Sequence, residues 1–173
     1  VASDVPTSMP WPAPDTGMAM NGSERPRTPL GRTLAWLGAW HPAVIHFPIA
    51  LLLTAALLEV AAVVRRQPAY AAGNKLLLGI AMAAAFIAAL LGWANAGLPE
   101  PVDAAALTTH RWLGTVFPFV LFGLWLLKRP TDEAVRRPAS RLYELVLVIA
   151  VGLVLTQAFL GGEVTHGANH MRF

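Results

Sequence analysis

The sequence predicts an all-α integral membrane protein, a four-transmembrane-helix bundle, and three observations predict it. The 173 residues are 55% hydrophobic and only 13% charged, roughly half the charge of an average soluble domain. Four apolar runs are each long enough to cross a bilayer. The basic residues gather in the short loops between alternate runs. A pI near 10.0 would also suit a nucleic-acid binder, but that placement of Lys and Arg is membrane topology and excludes the nucleic-acid class. Cysteine is absent, which removes disulfides, covalently attached c-type haem, iron–sulfur clusters and thiolate metal sites.

Residues 1–33 are a different material from the rest. The stretch "SMPWPAPDTGMAMNGSERPRTP" is rich in Pro, Gly and Ser and predicts an extended arm on the outer side that packs on a partner. Its Met9, Met18 and Met20 read as contact residues, with soft copper ligation as the alternative. The first residue is Val1, and an initiator Met, with or without a signal peptide, is expected to precede it. Residues 34–173 form the transmembrane domain, with spans at 46–64, 76–94, 110–127 and 142–160. At 1.5 Å per residue each covers about 27–29 Å, close to the hydrocarbon thickness. Since lipid asks only for helices apolar all round, periodicity adds little. The second span, "GIAMAAAFIAALLG", places Ala81, Ala85, Ala88 and Gly92 on one face, where small residues let helices approach closely.

The loops set an orientation. Arg65, Arg66 and Lys75 lie between the first two spans, and Lys128, Arg129, Arg136, Arg137 and Arg141 between the last two. The central loop, "GLPEPVDAAALTT", carries Glu100 and Asp103 and no Lys or Arg. The positive-inside rule puts the first and third loops in the cytoplasm, and both termini and the central loop on the periplasmic side of a bacterial inner membrane. Arg25, Arg27 and Arg32 oppose this, with less weight than the contrast between loops. Trp36, Trp40, Trp93 and Trp112 fall at the outer interface and Tyr70, Trp125 and Tyr143 at the inner one, the depth that amphipathic rings prefer.

All five histidines fall on the outer side. His41 and His46 lie at the mouth of the first span, His110 opens the third, and His166 and His170 follow the fourth. Any one of them alone is most simply an amphipathic ring at an interface. His46 and His110 together, at one depth on helices able to face each other, suggest more, because an unsatisfied imidazole at the edge of hydrocarbon is costly. Two imidazoles from facing helices ligate one iron in b-type cytochromes. His41 and His46 stand about 140° apart on an ideal helix, so they serve two centres, or one ligates while the other hydrogen-bonds. Pro42 and Pro48 suit a helix start and a rigid lead-in. Arg111 reads equally as a partner for haem propionates or as a snorkelling cation, with Arg32, Arg172, Asn95 and Gln157 near the same face. Gly161 and Gly162 let the chain turn, so "VTHG" is expected to fold back and bring His166 in. From the inner side, Glu59 and Glu144 enter the spans, where pairing or snorkelling is expected over a proton relay.

At "HPAVIHFPIALL" the chain resembles a widespread bacterial membrane family marked by an HP-x3-HFP signature opening the first of four spans. "HRWLG" at the third span and the closing "GGEVTHG" match it too, and the resemblance covers residues 38 to 168. It implies a redox setting, since this domain occurs fused to or beside c-type cytochromes and membrane-bound dehydrogenases of sugars or aldehydes. It carries emphasis onto His41, His46, His110 and His166.

The expected function is therefore a membrane-embedded, cytochrome b-like electron-transfer subunit carrying one or two b-type haems near the periplasmic face. His46 and His110 ligate the first iron; His41 and His166 serve a second centre or orient the first. Electrons pass between quinol in the bilayer and a periplasmic cytochrome c or dehydrogenase, so a quinone contact and neighbouring redox subunits are expected along with lipid. No nucleophile–base pair or nucleotide motif marks an enzyme acting alone. The alternative is a non-redox accessory subunit that stabilises a larger respiratory or photosynthetic complex. A copper or zinc site made by the four outer histidines ranks last, because no carboxylate or thioether accompanies them.

Overall fold

A computed structural model describes residues 28–130 and 139–167; all the regular structure among them is helical. Helix α1 is Pro29–Gly38, α2 His41–Val44, α3 His46–Val64, α4 Asn74–Ala96, α5 Ala105–Leu127 and α6 Arg141–His166, with a 3-10 turn at Pro68–Ala71. Helices α3 to α6 supply the four apolar membrane crossings, and the helical run into the first begins at Pro29. Each packs on its sequence neighbour, while α3 and α6 touch only sparsely. The expected first span coincides with α3, and the other three helices run further. Met9, Met18, Met20, Arg25, Arg27, Arg136, Arg137, His170 and Arg172 lie outside the described residues.

Helical structure starts a few residues inside the stretch expected to be an extended arm. The Thr28 hydroxyl accepts from the Gly31 N–H at 3.1 Å, and Pro29 occupies the first turn, where its missing donor costs nothing. The path from α1 to α3 is then broken at Pro42 and Pro48, which cannot donate to the carbonyls of Gly38 and Val44. At the other end of the chain, Gly161 and Gly162 stay helical instead of turning. The helix stops at Gly167, whose φ of 84° ends it.

A seam of alternating four- and three-residue steps runs the length of every span. In α4 the buried set is Asn74, Leu78, Ala81, Ala85 and Ala88. In α6 it is Tyr143, Leu147, Ala150, Val154 and Gln157. Phe117, Leu121 and Leu124 follow the same spacing in α5, and Leu52, Ala55 and Glu59 in α3. This is the knobs-into-holes pattern of a helical bundle, and small Ala on α4 faces larger Leu and Phe across it.

The seam ends in polar layers. At one end Glu59, 8% exposed, is held by three other segments. Its Oε1 accepts from Asn74 Nδ2 at 2.9 Å and Tyr143 Oη at 2.8 Å, and it pairs with the Lys128 ammonium. Tyr143, expected in the interfacial belt, is instead 1% exposed, because its hydroxyl has this buried carboxylate to satisfy. Asn74 also donates to the Ala55 carbonyl at 2.9 Å. Lys75 closes the α5 C-terminus, donating to the Lys128 carbonyl at 2.9 Å and to that of Trp125, with its Nζ 4.3 Å above the Trp125 ring. Glu144 lies exposed in the first turn of α6, favourable to the helix dipole.

At the opposite end, Arg111 is 5% exposed. It donates to Asp103 at 2.9 Å and to the Ala96 carbonyl at 3.2 Å, and lies 5.4 Å from the Trp93 ring centre. The Glu100 N–H also donates to Asp103, at 3.0 Å. That bond first, and the guanidinium second, hold the Asp103 carboxyl below its ordinary value of 3.8.

Replacing Lys128 with Met strands a buried carboxylate, and unfolding in detergent is expected to show a loss of about 3–5 kcal/mol. Adding Glu59→Gln to that variant should return most of the loss; an unchanged stability in Lys128→Met would show that the clasp contributes nothing. Because the folded state depresses the Asp103 pKa, its contribution is full above the unfolded value and is lost as pH falls through the lower folded one. The stability advantage of the native chain over Asp103→Asn should therefore be constant above about pH 5 and vanish on further acidification. An advantage that instead grew in acid would contradict the pairing.

Candidate functional site

At the end of the bundle opposite Glu59, the seam opens into a cavity of about 460 Å³, within the usual size range of small-molecule and cofactor sites. The start of α2 and α3, the end of α4, the start of α5 and the end of α6 all line it. His41, His46, His110 and His166 are on its wall, with Gln157 and Arg111.

His41 and His110 are the two imidazoles that meet, edge to face. Their centroids are 6.4 Å apart and their planes stand at 87°. The Nδ1 of His41 lies 2.8 Å from the Ala88 carbonyl. A carbonyl only accepts, so Nδ1 is the donor of this bond and Nε2 takes no part in it. The ring packed against that of His110 is His41, because the chain is already helical at His41. His41 precedes Pro48 by seven residues and so continues the buried stripe of α3. His46 falls off that stripe and is exposed at the cavity's edge.

Glycines make the room for these rings. A Cβ on Gly92 would stand 3.0 Å from Cε1 of His41, and one on Gly161 would stand 3.3 Å from Cε1 of His110. This is the physical use of Gly161 inside a continuous helix: it seats an imidazole. His166 reaches the cavity wall by the straight course of α6, without a fold-back, and is exposed there.

Gln157 is the second polar anchor of His110. Its Nε2 donates to the His110 backbone carbonyl at 2.8 Å, across a gap kept open by Gly114, where a Cβ would meet that nitrogen at 2.7 Å. Two buried polar atoms remain without a protein partner beside it, Nδ1 of His110 and Oε1 of Gln157. One can donate and the other accepts. Arg111, named from sequence as a propionate partner or a snorkelling cation, is committed to Asp103 and Ala96, with only its Nε unpaired. Trp93 donates to the Thr115 hydroxyl at 2.9 Å and meets Trp112 edge to face at 5.8 Å, closing the α4–α5 side. Among the described residues, no three His, Cys, Asp or Glu side chains converge as a bare-ion site.

Lys128 and Asn74 were not singled out from the sequence as structural residues. The available signal was Glu59 itself, since a carboxylate within an apolar run asks for a cation at its own depth.

Neither a curated protein nor a solved structure matches the chain. A family model described as a predicted membrane protein, DUF2231, matches residues 38–169. That match takes in all four spans, both polar layers and the histidine cavity, and leaves nearly all of α1 outside. The chain belongs to this membrane-protein family.

Proposed function

We propose that the protein is a small membrane electron-transfer subunit of the cytochrome b type, with one b-type haem held between His41 and His110. The observation that supports this is the spacing of that pair. Two imidazoles ligating one metal atom would hold their ring centres about 6 Å apart. The observed separation is 6.4 Å. Two protein ligands leave a bare ion under-coordinated, whereas an iron porphyrin would need only two from the protein, here His41 and His110.

The donor set suits such a group. His41 offers Nε2, its Nδ1 committed to the Ala88 carbonyl, the outer-shell bond that ligating imidazoles commonly have. His110 is carried by the first turns of α5 and tied to α6 by Gln157. Ile45, Ile49, Leu107 and Ala158 give an apolar wall that would keep water from a bound group. When bound, the haem supplies one-electron chemistry. Held by two imidazoles, such a group would suit electron carriage over oxygen chemistry. His46 and His166, at the exposed edge of the cavity, suit contacts to propionates or a second centre. Quinol in the bilayer as donor, and a periplasmic cytochrome c or dehydrogenase as partner, complete this proposal.

We also place the protein in a bacterial inner membrane with the histidine end periplasmic. Arg65, Arg66, Lys75, Lys128, Arg129 and Arg141 sit at the Glu59 end, while the α4–α5 loop holds Glu100 and Asp103 and no Lys or Arg, as the positive-inside rule requires.

A reduced-minus-oxidised absorption spectrum of the purified protein should show sharp b-type bands. His41→Ala and His110→Ala should lose them, His46→Ala should keep them, and Gly161→Val should weaken them by crowding the His110 ring, all with unchanged helical content. A colourless native protein after expression with ample haem would contradict the proposal and leave the accessory-subunit alternative.

A further inference from the structure

We infer that α1 is a membrane-surface helix, lying along the lipid–water boundary beside the cavity with its leucine stripe turned into the acyl chains. The helical run from Pro29 to Val64 holds 36 residues. At 1.5 Å each it would be about 54 Å long if straight, far more than the ~30 Å of hydrocarbon that α3 alone nearly fills. The run is instead broken at Ala39–Trp40, where Pro42 cannot donate to Gly38. Gly38 fixes where the break lies. A Cβ there would stand 2.5 Å from the Asn95 backbone nitrogen, so α1 is pinned at the last turn of α4, where that span leaves the membrane.

The faces of α1 then sort by environment. Gly31 and Gly38, seven residues apart, form its one shielded side, and it packs against α4. Leu30, Leu34 and Leu37 follow i, i+4, i+7 and are 69%, 44% and 37% exposed. Arg32 lies on the opposite side, at about 100° per residue. Trp36 and Trp40, 62% and 52% exposed and packed edge to face at 6.1 Å, flank the stripe as amphipathic rings do at the headgroup level. An apolar stripe, a cation opposite and tryptophans between them are the composition of a helix lying in the interface plane. Because α1 packs on α4 at the end of a membrane-crossing helix, the bilayer is the occupant of the stripe. The family match begins at Gly38, so nearly all of α1 lies outside it.

The absence of native cysteine makes the test direct. Single variants Leu30→Cys, Arg32→Cys, Leu34→Cys and Leu37→Cys of the full chain, with Leu57→Cys near the middle of α3 as a deep reference, are spin-labelled and placed in phosphatidylcholine–phosphatidylglycerol vesicles. Power saturation with oxygen and with a water-soluble nickel chelate reads immersion depth. The expected result is one shared shallow depth for positions 30, 34 and 37, with position 32 exposed to the chelate. A depth that changes steadily from 37 to 30 would mean that α1 stands along the membrane normal. Chelate access equal at all four positions would mean that it lies in water. Labels at 30, 34 and 37 immobilised and shielded from both reagents would mean a protein partner on the stripe. Each of these overturns the inference. None of them depends on haem.

Discussion

One buried carboxylate sets the frame of this protein. Glu59 brings Asn74, Lys128 and Tyr143 to a single point, so one residue at the same end of each span is fixed at one level. In hydrocarbon this carries more authority than apolar packing, because lipid tails are as good a neighbour for Leu as another helix is. An ammonium or carboxylate left without its partner there is not tolerated.

The consequence appears at the other end. His41 and Glu59, Asn74 and Gly92, His110 and Lys128, and Tyr143 and Gly161 are each 18 residues apart, five turns at about 3.6 residues. Five whole turns return to the same face, so aligning the Glu59 layer aligns the histidine layer about 27 Å away. His41 meets Gly92 there and His110 meets Gly161, and the two imidazoles meet edge to face. Stability and site geometry thus share one seam: the layer that registers the helices also decides which rings meet.

Much of the fold was legible. Hydropathy and length pointed to four helices long and apolar enough to cross a membrane, and four are present, since an apolar run of bilayer length admits little else. The small face of the second span was legible too. The partner of His110 was harder to see. Counting the first span from His46 ignored the four–three rhythm, which places His41, Pro48, Leu52, Ala55 and Glu59 on one stripe and leaves His46 outside it. An apolar background hides that rhythm, because lipid-facing and buried positions both hold Ala, Leu and Val. The glycines misled for a related reason. Gly161 and Gly162 resemble a turn in sequence, and only the ring of His110 against the helix explains Gly161 inside it. Lys128 was counted with the loop charges that set topology, and its burial became visible only with Glu59 beside it.

The most direct test of a site built from His41 and His110 is the frozen-solution electron paramagnetic resonance spectrum of the oxidised, haem-loaded protein. Imidazole planes held near 87° to one another should give a strongly anisotropic low-spin ferric signal, one that is lost when either histidine is replaced. A high-spin signal, or a low-spin signal that persists in both His41→Ala and His110→Ala, would contradict the pairing.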